Sequence, residues 1–152
     1  MEAKIMTGGQ ADGVVQFTVF TPNRLGRLHE LVQMLGSRNV HVLALMVQDI
    51  TDSAIIRLVL DDPDQGRELL GEHAFAFVES SVVAVEIDTS EDLPRLTSAL
   101  LEAEININYL YAFIPHPHEK TMLALNLDDP ETAQETLKRH QFTVLKQSDI
   151  SR

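Results

Sequence analysis

One pattern is written twice in this chain, and a duplicated pattern constrains the fold more than composition does. Leu60-Asp61-Asp62-Pro63 returns as Leu127-Asp128-Asp129-Pro130. Behind each copy comes a short helical stretch, then a histidine and a phenylalanine: His73 and Phe75, His140 and Phe142. A looser match precedes each copy, with Leu-Gly-Ser-Arg-Asn-Val-His-Val at 35–42 against Leu-Leu-Glu-Ala-Glu-Ile-Asn-Ile at 100–107. The first pair is offset by 67 residues (127 − 60) and the second by 65 (100 − 35), so a hairpin two residues longer in the second copy reconciles them. An internal duplication implies two similar modules of about 65–70 residues, viable at that size when they share an interface. Two such modules are related by a pseudo-two-fold axis, where a ligand site is expected.

Charge removes several partners. The 152 residues include 12 Lys and Arg against 23 Asp and Glu, a formal charge of −11. The excess is spread evenly: six basic and eleven acidic groups up to residue 80, six and twelve after it. With no basic patch or tail, neither nucleic acid nor an anionic membrane surface is an expected partner. There is no cysteine, hence no disulfide framework and no thiol nucleophile. The polar, Gly-rich residues 1–12 lack the apolar core of a signal peptide and read as a mobile tail. No apolar run approaches spanning length, so the expected location is cytoplasmic.

Periodicity supplies the elements. Val14 to Phe20 alternates as a strand, and Thr21 to Gly26 reads as a loop with Asn23 as helix N-cap. Leu28, Leu31, Val32 and Leu35 fall on one helical face, which Gly36 ends. Val40–Asp49 and Ala54–Leu60 form strands around a turn at Thr51-Asp52-Ser53, Asp62-Pro63 starts a second helix, and Phe75–Val78 is a fourth strand. The second copy repeats the order. It has a strand at Val82–Ile87, a helix marked by Leu93, Leu96, Leu100 and Leu101, and a hairpin of Ile105–Ile114 with Thr121–Leu127. A helix at Pro130–His140 and a strand at Phe142–Leu145 complete it. Period two puts Tyr109 and Tyr111 on the face of Ile105 and Ile107. The expected fold is α+β: two ferredoxin-like βαββαβ modules, 13–80 and 81–149, with antiparallel sheets side by side and helices on one face.

This element order, with the loop Asn23-Arg24-Leu25-Gly26-Arg27-Leu28 and the strand starts at Asn39-Val40-His41-Val42 and Ile105-Asn106-Ile107, resembles the ACT domain family. The family's loop reads Asp/Asn-x-Pro-Gly-x-Leu, so Leu25 stands where its proline would be. The resemblance covers residues 13–149 and implies a regulatory module that binds an amino acid between paired modules. It assigns the ligand to Asn23, Arg24, Leu25 and Gly26 of one copy and Asn106 of the other. The mirror site would use Asp88, Thr89, Ser90 and Glu91 with His41.

Physical chemistry separates these two sites. A helix N-terminus offers unpaired N–H groups to a carboxylate, and a glycine there admits close approach. The second loop has no glycine, and Glu91 and Asp92 occupy its first helical turn; Thr89-x-x-Asp92 has the form of a capping box. That start repels a carboxylate, so the second site is expected to be degenerate and one competent site per chain remains. Each of these residues also has a plainer role, as cap, turn or solvated side chain.

Other constellations carry less. His116-Pro117-His118-Glu119 supplies too few ligands for a tight metal site and reads as a turn. His73 and His140 suit helix C-termini, and the Asp61-Asp62 and Asp128-Asp129 pairs suit helix starts. No cofactor is expected. The leading expectation is a non-catalytic regulatory protein with a free amino acid as ligand, a separate regulated enzyme or regulator as partner, and a homodimeric state. The rivals are an oligomerisation or partner-binding module with a vestigial site, and a small ferredoxin-like enzyme.

Overall fold

The computed structural model of the protein describes residues 13–151, so the tail expected at 1–12 lies outside the described residues. Its elements are β1 (Val14–Pro22), α1 (Arg27–Ser37), β2 (Val42–Ile50), β3 (Ser53–Leu60), α2 (Pro63–Glu72), β4 (Ala76–Ile87), α3 (Asp92–Glu102), β5 (Ile107–Ala112), β6 (Thr121–Leu127), α4 (Pro130–Arg139), β7 (Val144–Leu145) and α5 (Gln147–Ile150). The chain divides into two compact units, Val15–Ser80 and Ser81–Asp149. The two strands expected at 75–78 and 82–87 are one strand, β4, which crosses this division. The polar Glu79, Ser80 and Ser81 do not interrupt it, because strand continuity is set by backbone pairing and not by apolar side chains.

In the first unit the sheet order is β2-β3-β1-β4, and in the second it is β7-β4-β6-β5. The outer connections make each an antiparallel split βαβ sheet. Phe17 and Val19 of β1 pair with Leu58 and Ile56 of β3, and all four face the same core as Leu31 and Leu35 of α1 and Leu69 and Leu70 of α2. In the second unit Val83 and Val85 pair with Leu125 and Leu123, over Leu96 and Leu100 of α3 and Ala133 and Leu137 of α4. Helices therefore cover one face of each sheet. No helix among the described residues is long and apolar enough to cross a membrane.

Four helices end by one device. After α1 the Val40 N–H donates to Leu35 O and the Asn39 N–H to Gly36 O, which is a Schellman closure. The same pair of bonds runs from Phe75 and Ala74 to Leu70 and Gly71, from Ile105 and Glu104 to Leu100 and Leu101, and from Phe142 and Gln141 to Leu137 and Lys138. Each closure needs one left-handed residue, and here none is glycine: Asn39 (φ 62°), Ala74 (58°), Glu104 (57°) and Gln141 (70°). The residue after each is apolar and buried: Val40, Phe75, Ile105 and Phe142. The repeated histidine and phenylalanine of the sequence are thus the C-cap and the buried anchor of this motif, with His73 Nδ1 3.0 Å from Leu69 O. The α1 helix runs through Gly36 and ends here, one step later than a glycine stop suggests.

A bulge changes the faces of the second strands. In β5 the register shifts between Ile107 and Tyr109, so Ile107 pairs with Leu127 but Tyr109 with Asn126 and Tyr111 with Ala124. Leu127 is in the core and Asn126 is on the opposite face, so Tyr109 and Tyr111 lie across the sheet from Ile107, against simple alternation. Their rings stack with centroids 6.4 Å apart. β2 has the matching shift between Val42 and Ala44.

A left-handed alanine costs about 1–2 kcal/mol relative to right-handed backbone. Ala74→Gly removes that strain at the expense of a more flexible unfolded chain, and the net expected gain is about 0.5–1 kcal/mol by urea denaturation.

Candidate functional site

The start of α1 is open. Its N-cap is Gly26, at φ 94°, and no side chain caps it. A side chain at this left-handed position would be strained, yet a Cβ there would meet nothing within 4 Å, so the backbone requires glycine while the space in front stays clear. The Arg27 N–H donates to Arg24 O at 3.4 Å and the Glu30 N–H to Gly26 O at 2.9 Å. Among the described residues the Leu28 and His29 N–H groups donate to no loop carbonyl, as the first turn of a helix dictates. Arg24, Leu25 and Gly26 are exposed, with Leu25 projecting fully into solvent.

Asn23 is not the N-cap. Its Nδ2 donates to Asp49 Oδ1 at 2.6 Å and to Thr51 O at 3.5 Å, and its own N–H donates to Asp52 O. The side chain points back to the β2–β3 turn and ties the loop to it, because three residues separate it from the helix instead of none. Arg27 adds a second brace, with Nε donating to Thr21 Oγ1 at 3.1 Å and its guanidinium 4.4 Å from the Phe75 ring centroid.

The matching start of α3 also lacks a side-chain cap, but it carries a carboxylate of its own in the first turn. Asp92 turns its Oδ2 back to accept from the Asp88 N–H at 2.7 Å and the Thr89 N–H at 3.2 Å, while Thr89 Oγ1 accepts from the Glu91 N–H. The N-cap residue is Glu91, so Thr89 bonds one residue short of a capping box and only the backward half survives. These backbone N–H bonds, from Asp88 first, hold the Asp92 carboxyl below its ordinary value. Asp88 also pairs with Lys120 at 3.1 Å, which raises the lysine. Ser90 and Glu91 are exposed.

The strand starts diverge as well. Asn106, exposed at the entry to β5, donates from Nδ2 to Asn108 Oδ1 at 3.1 Å. His41, its counterpart in the first unit, is clamped to Asp61: its N–H donates to Oδ1 at 2.8 Å and its Nδ1 lies 2.7 Å from Oδ2. Asp61 is only 5% exposed, so of the paired aspartates Asp62 alone caps α2, accepting from the Gln65 N–H, while Asp61 serves the histidine. In the second unit Asp129 caps α4 through the Thr132 N–H. Sequence reading missed the Asp61 clamp and the residues Asn108 and Asn126 beside Asn106; the bulge that brings them round has no sequence signal. Near the hairpin loop, the Glu119 N–H closes a turn onto His116 O.

A carboxyl lowered in the fold contributes stability above its unfolded value and loses it as pH falls through the folded one. Asp92→Asn is therefore expected to flatten the acid-side loss of melting temperature below about pH 4, with little change at pH 7, where the amide oxygen can still accept from the loop N–H groups. An unchanged acid limb would show that the Asp92 bonds do not hold in solution.

The sequence model of the ACT domain pair matches residues 12–152. No curated protein matches the sequence. A protein from Bacteroides thetaiotaomicron of known structure superposes with a TM-score of 0.85 at 24% identity, over 94% of this chain and 99% of that one. The ligand-free regulatory subunit of aspartate kinase from Thermus thermophilus gives 0.59 at 11% identity, over 84% and 92%. Aspartate kinase from Synechocystis gives 0.54 at 17% identity, over 86% of this chain and 25% of that one. At these identities the structural likeness is one of fold. The family match spans almost the whole chain and agrees with the two βαββαβ units, so this chain belongs to the ACT domain pair family.

Proposed function

We propose that this protein is a non-catalytic regulatory module whose ligand is a free amino acid. The observation that carries this reading is the contrast between two equivalent helix starts. That of α1 presents a left-handed glycine and uncapped N–H groups, and that of α3 holds its own carboxylate. An α-carboxylate is favoured at the first by the helix dipole and repelled at the second. Gly26, Arg24 and the Leu25 backbone would bind the carboxylate, Asn23 would hold the loop, and Asn106 of a paired module would take the ammonium through its amide oxygen. Module boundaries at 80 and 81 belong to this reading. The resemblance of fold to a regulatory subunit supports it, and a cytoplasmic setting with a separate regulated enzyme or regulator follows from it.

A homodimer is part of the proposal. Val47 and Ile50 on edge strand β2 and Leu110 on edge strand β5 are exposed, and apolar edges of this kind favour pairing with another chain. The same surfaces also support the rival in which partner binding is the whole function.

A thermal-shift screen of the proteinogenic amino acids at millimolar concentration separates the two, because a ligand at about 100 times its Kd adds about 2.7 kcal/mol. At least one amino acid is expected to raise the melting temperature, with one site per chain by calorimetry. Gly26→Ala and Asn106→Ala should each weaken binding about tenfold or more, the scale of one hydrogen bond to a charged group. A stoichiometry of two, or no shift with any amino acid, would refute this assignment.

A further inference from the structure

Around Asn106 the second unit carries an array of polar side chains that the fold does not require. The Asn106 amide donates to Asn108 Oδ1 at 3.1 Å. Asn108 Nδ2 in turn donates to Asn126 Oδ1 at 2.9 Å and to Asp128 Oδ1 at 3.4 Å. Asn108 is the extra residue of the β5 bulge, which turns its side chain toward Asn126 and Asp128 on the face away from the helices. Asn106, Asn108 and Asp128 are exposed, and Asn126 is half-buried.

The first unit shows what the fold needs at these places. With the offsets of 65 and 67 residues, Asn106, Asn108, Asn126 and Asp128 match His41, Leu43, Val59 and Asp61. That unit makes the same bulge with Leu43 and Val59, and its aspartate is withdrawn into the clamp on His41. Neither the bulge nor the strand pairing therefore demands amides. Within the array the internal bonds use Asn106 Nδ2, Asn108 Oδ1 and Nδ2, Asn126 Oδ1 and Asp128 Oδ1. No bond among the described residues uses Asn106 Oδ1 or Asn126 Nδ2. An acceptor at one end and a donor at the other remain for a ligand.

We infer that this array selects the side chain of the ligand, and that the ligand is an amino acid with a neutral hydrogen-bonding side chain, a hydroxyl or a carboxamide. The inference rests on the proposed function, since it takes Asn106 as a ligand contact. An apolar side chain would strip water from the amides and return no bond. An anionic side chain would face the Asp128 carboxylate. A hydroxyl or carboxamide supplies the acceptor for Asn126 Nδ2 and a donor to the second lone pair of Asn106 Oδ1, whose first lone pair takes the ligand ammonium.

The test is calorimetric binding of serine, threonine, asparagine, glutamine, valine, leucine and aspartate to the full chain. Two variants accompany the wild type: Asn108→Leu/Asn126→Val, which installs the residues of the first unit, and Asp128→Asn, which removes the charge alone. The wild type is expected to bind one of the first four about tenfold or more tightly than leucine, valine or aspartate. The double variant should narrow the margin over leucine to within about threefold, and Asp128→Asn should improve aspartate binding about tenfold. Leucine or aspartate binding as tightly as the best polar ligand would overturn the inference and leave amino-acid binding standing. So would a margin unchanged in both variants. If the wild type binds no amino acid at all, the proposed function falls and this inference with it. Should the double variant not fold, judged by its melting transition, the Asp128→Asn result decides.

Discussion

The structure depends on how its helices stop. Each of the four long helices hands the chain to the next strand through a left-handed residue and two backward hydrogen bonds, and the residue that follows is driven into the core. This closure fixes the angle between helix and strand, so the apolar faces of both reach the same interior. The anchors Val40, Phe75, Ile105 and Phe142 are where local geometry and hydrophobic burial agree. Two of them are also covered from the outside: the Arg27 guanidinium lies over Phe75 and that of Arg95 over Phe142. The two arginines come from different turns of α1 and α3, so the contact is shared although the residue position is not. Such stacking adds about 0.5–1 kcal/mol at an exposed site.

On this common frame the two units differ wherever a side chain is free to do something other than pack. One helix start has a left-handed glycine as its N-cap, and the other carries an aspartate whose carboxylate is turned back onto the preceding loop. One strand entry holds a histidine against a buried carboxylate and the other opens an amide array. These differences are concentrated at helix starts and at the bulged entry of the second strand. Elsewhere the duplicated residues keep their jobs, as Asp62 and Asp129 do at the starts of α2 and α4. A duplicated fold thus needs only one half to keep a given function, and the other half records what the fold alone requires.

Much of this was legible beforehand. The spacing of Leu31 and Leu35, the Asp62-Pro63 start, and the repeated order of strands and helices led directly to the βαββαβ units. The open first loop and the self-satisfied second one were also visible, because both follow from residue types within one helical turn. The role of Asn23 was not, since capping depends on which residue stands immediately before the helix, and the chain takes three more residues to get there. The faces of Tyr109 and Tyr111 were misread for a related reason: one extra residue in a strand reverses every face beyond it, and alternation carries no mark of the insertion.

By itself, then, the amino-acid sequence determined the duplication, the element order, the core faces and the carboxylate carried in the first turn of α3. All of these are encoded by neighbours within a few residues, through periodicity and capping. Only the tertiary structure decided that Asp61 belongs to His41 and that Asn108 and Asn126 join Asn106. Those outcomes turn on strand register and a bulge, which bring together residues about twenty apart in the chain, where no local preference can specify the partner.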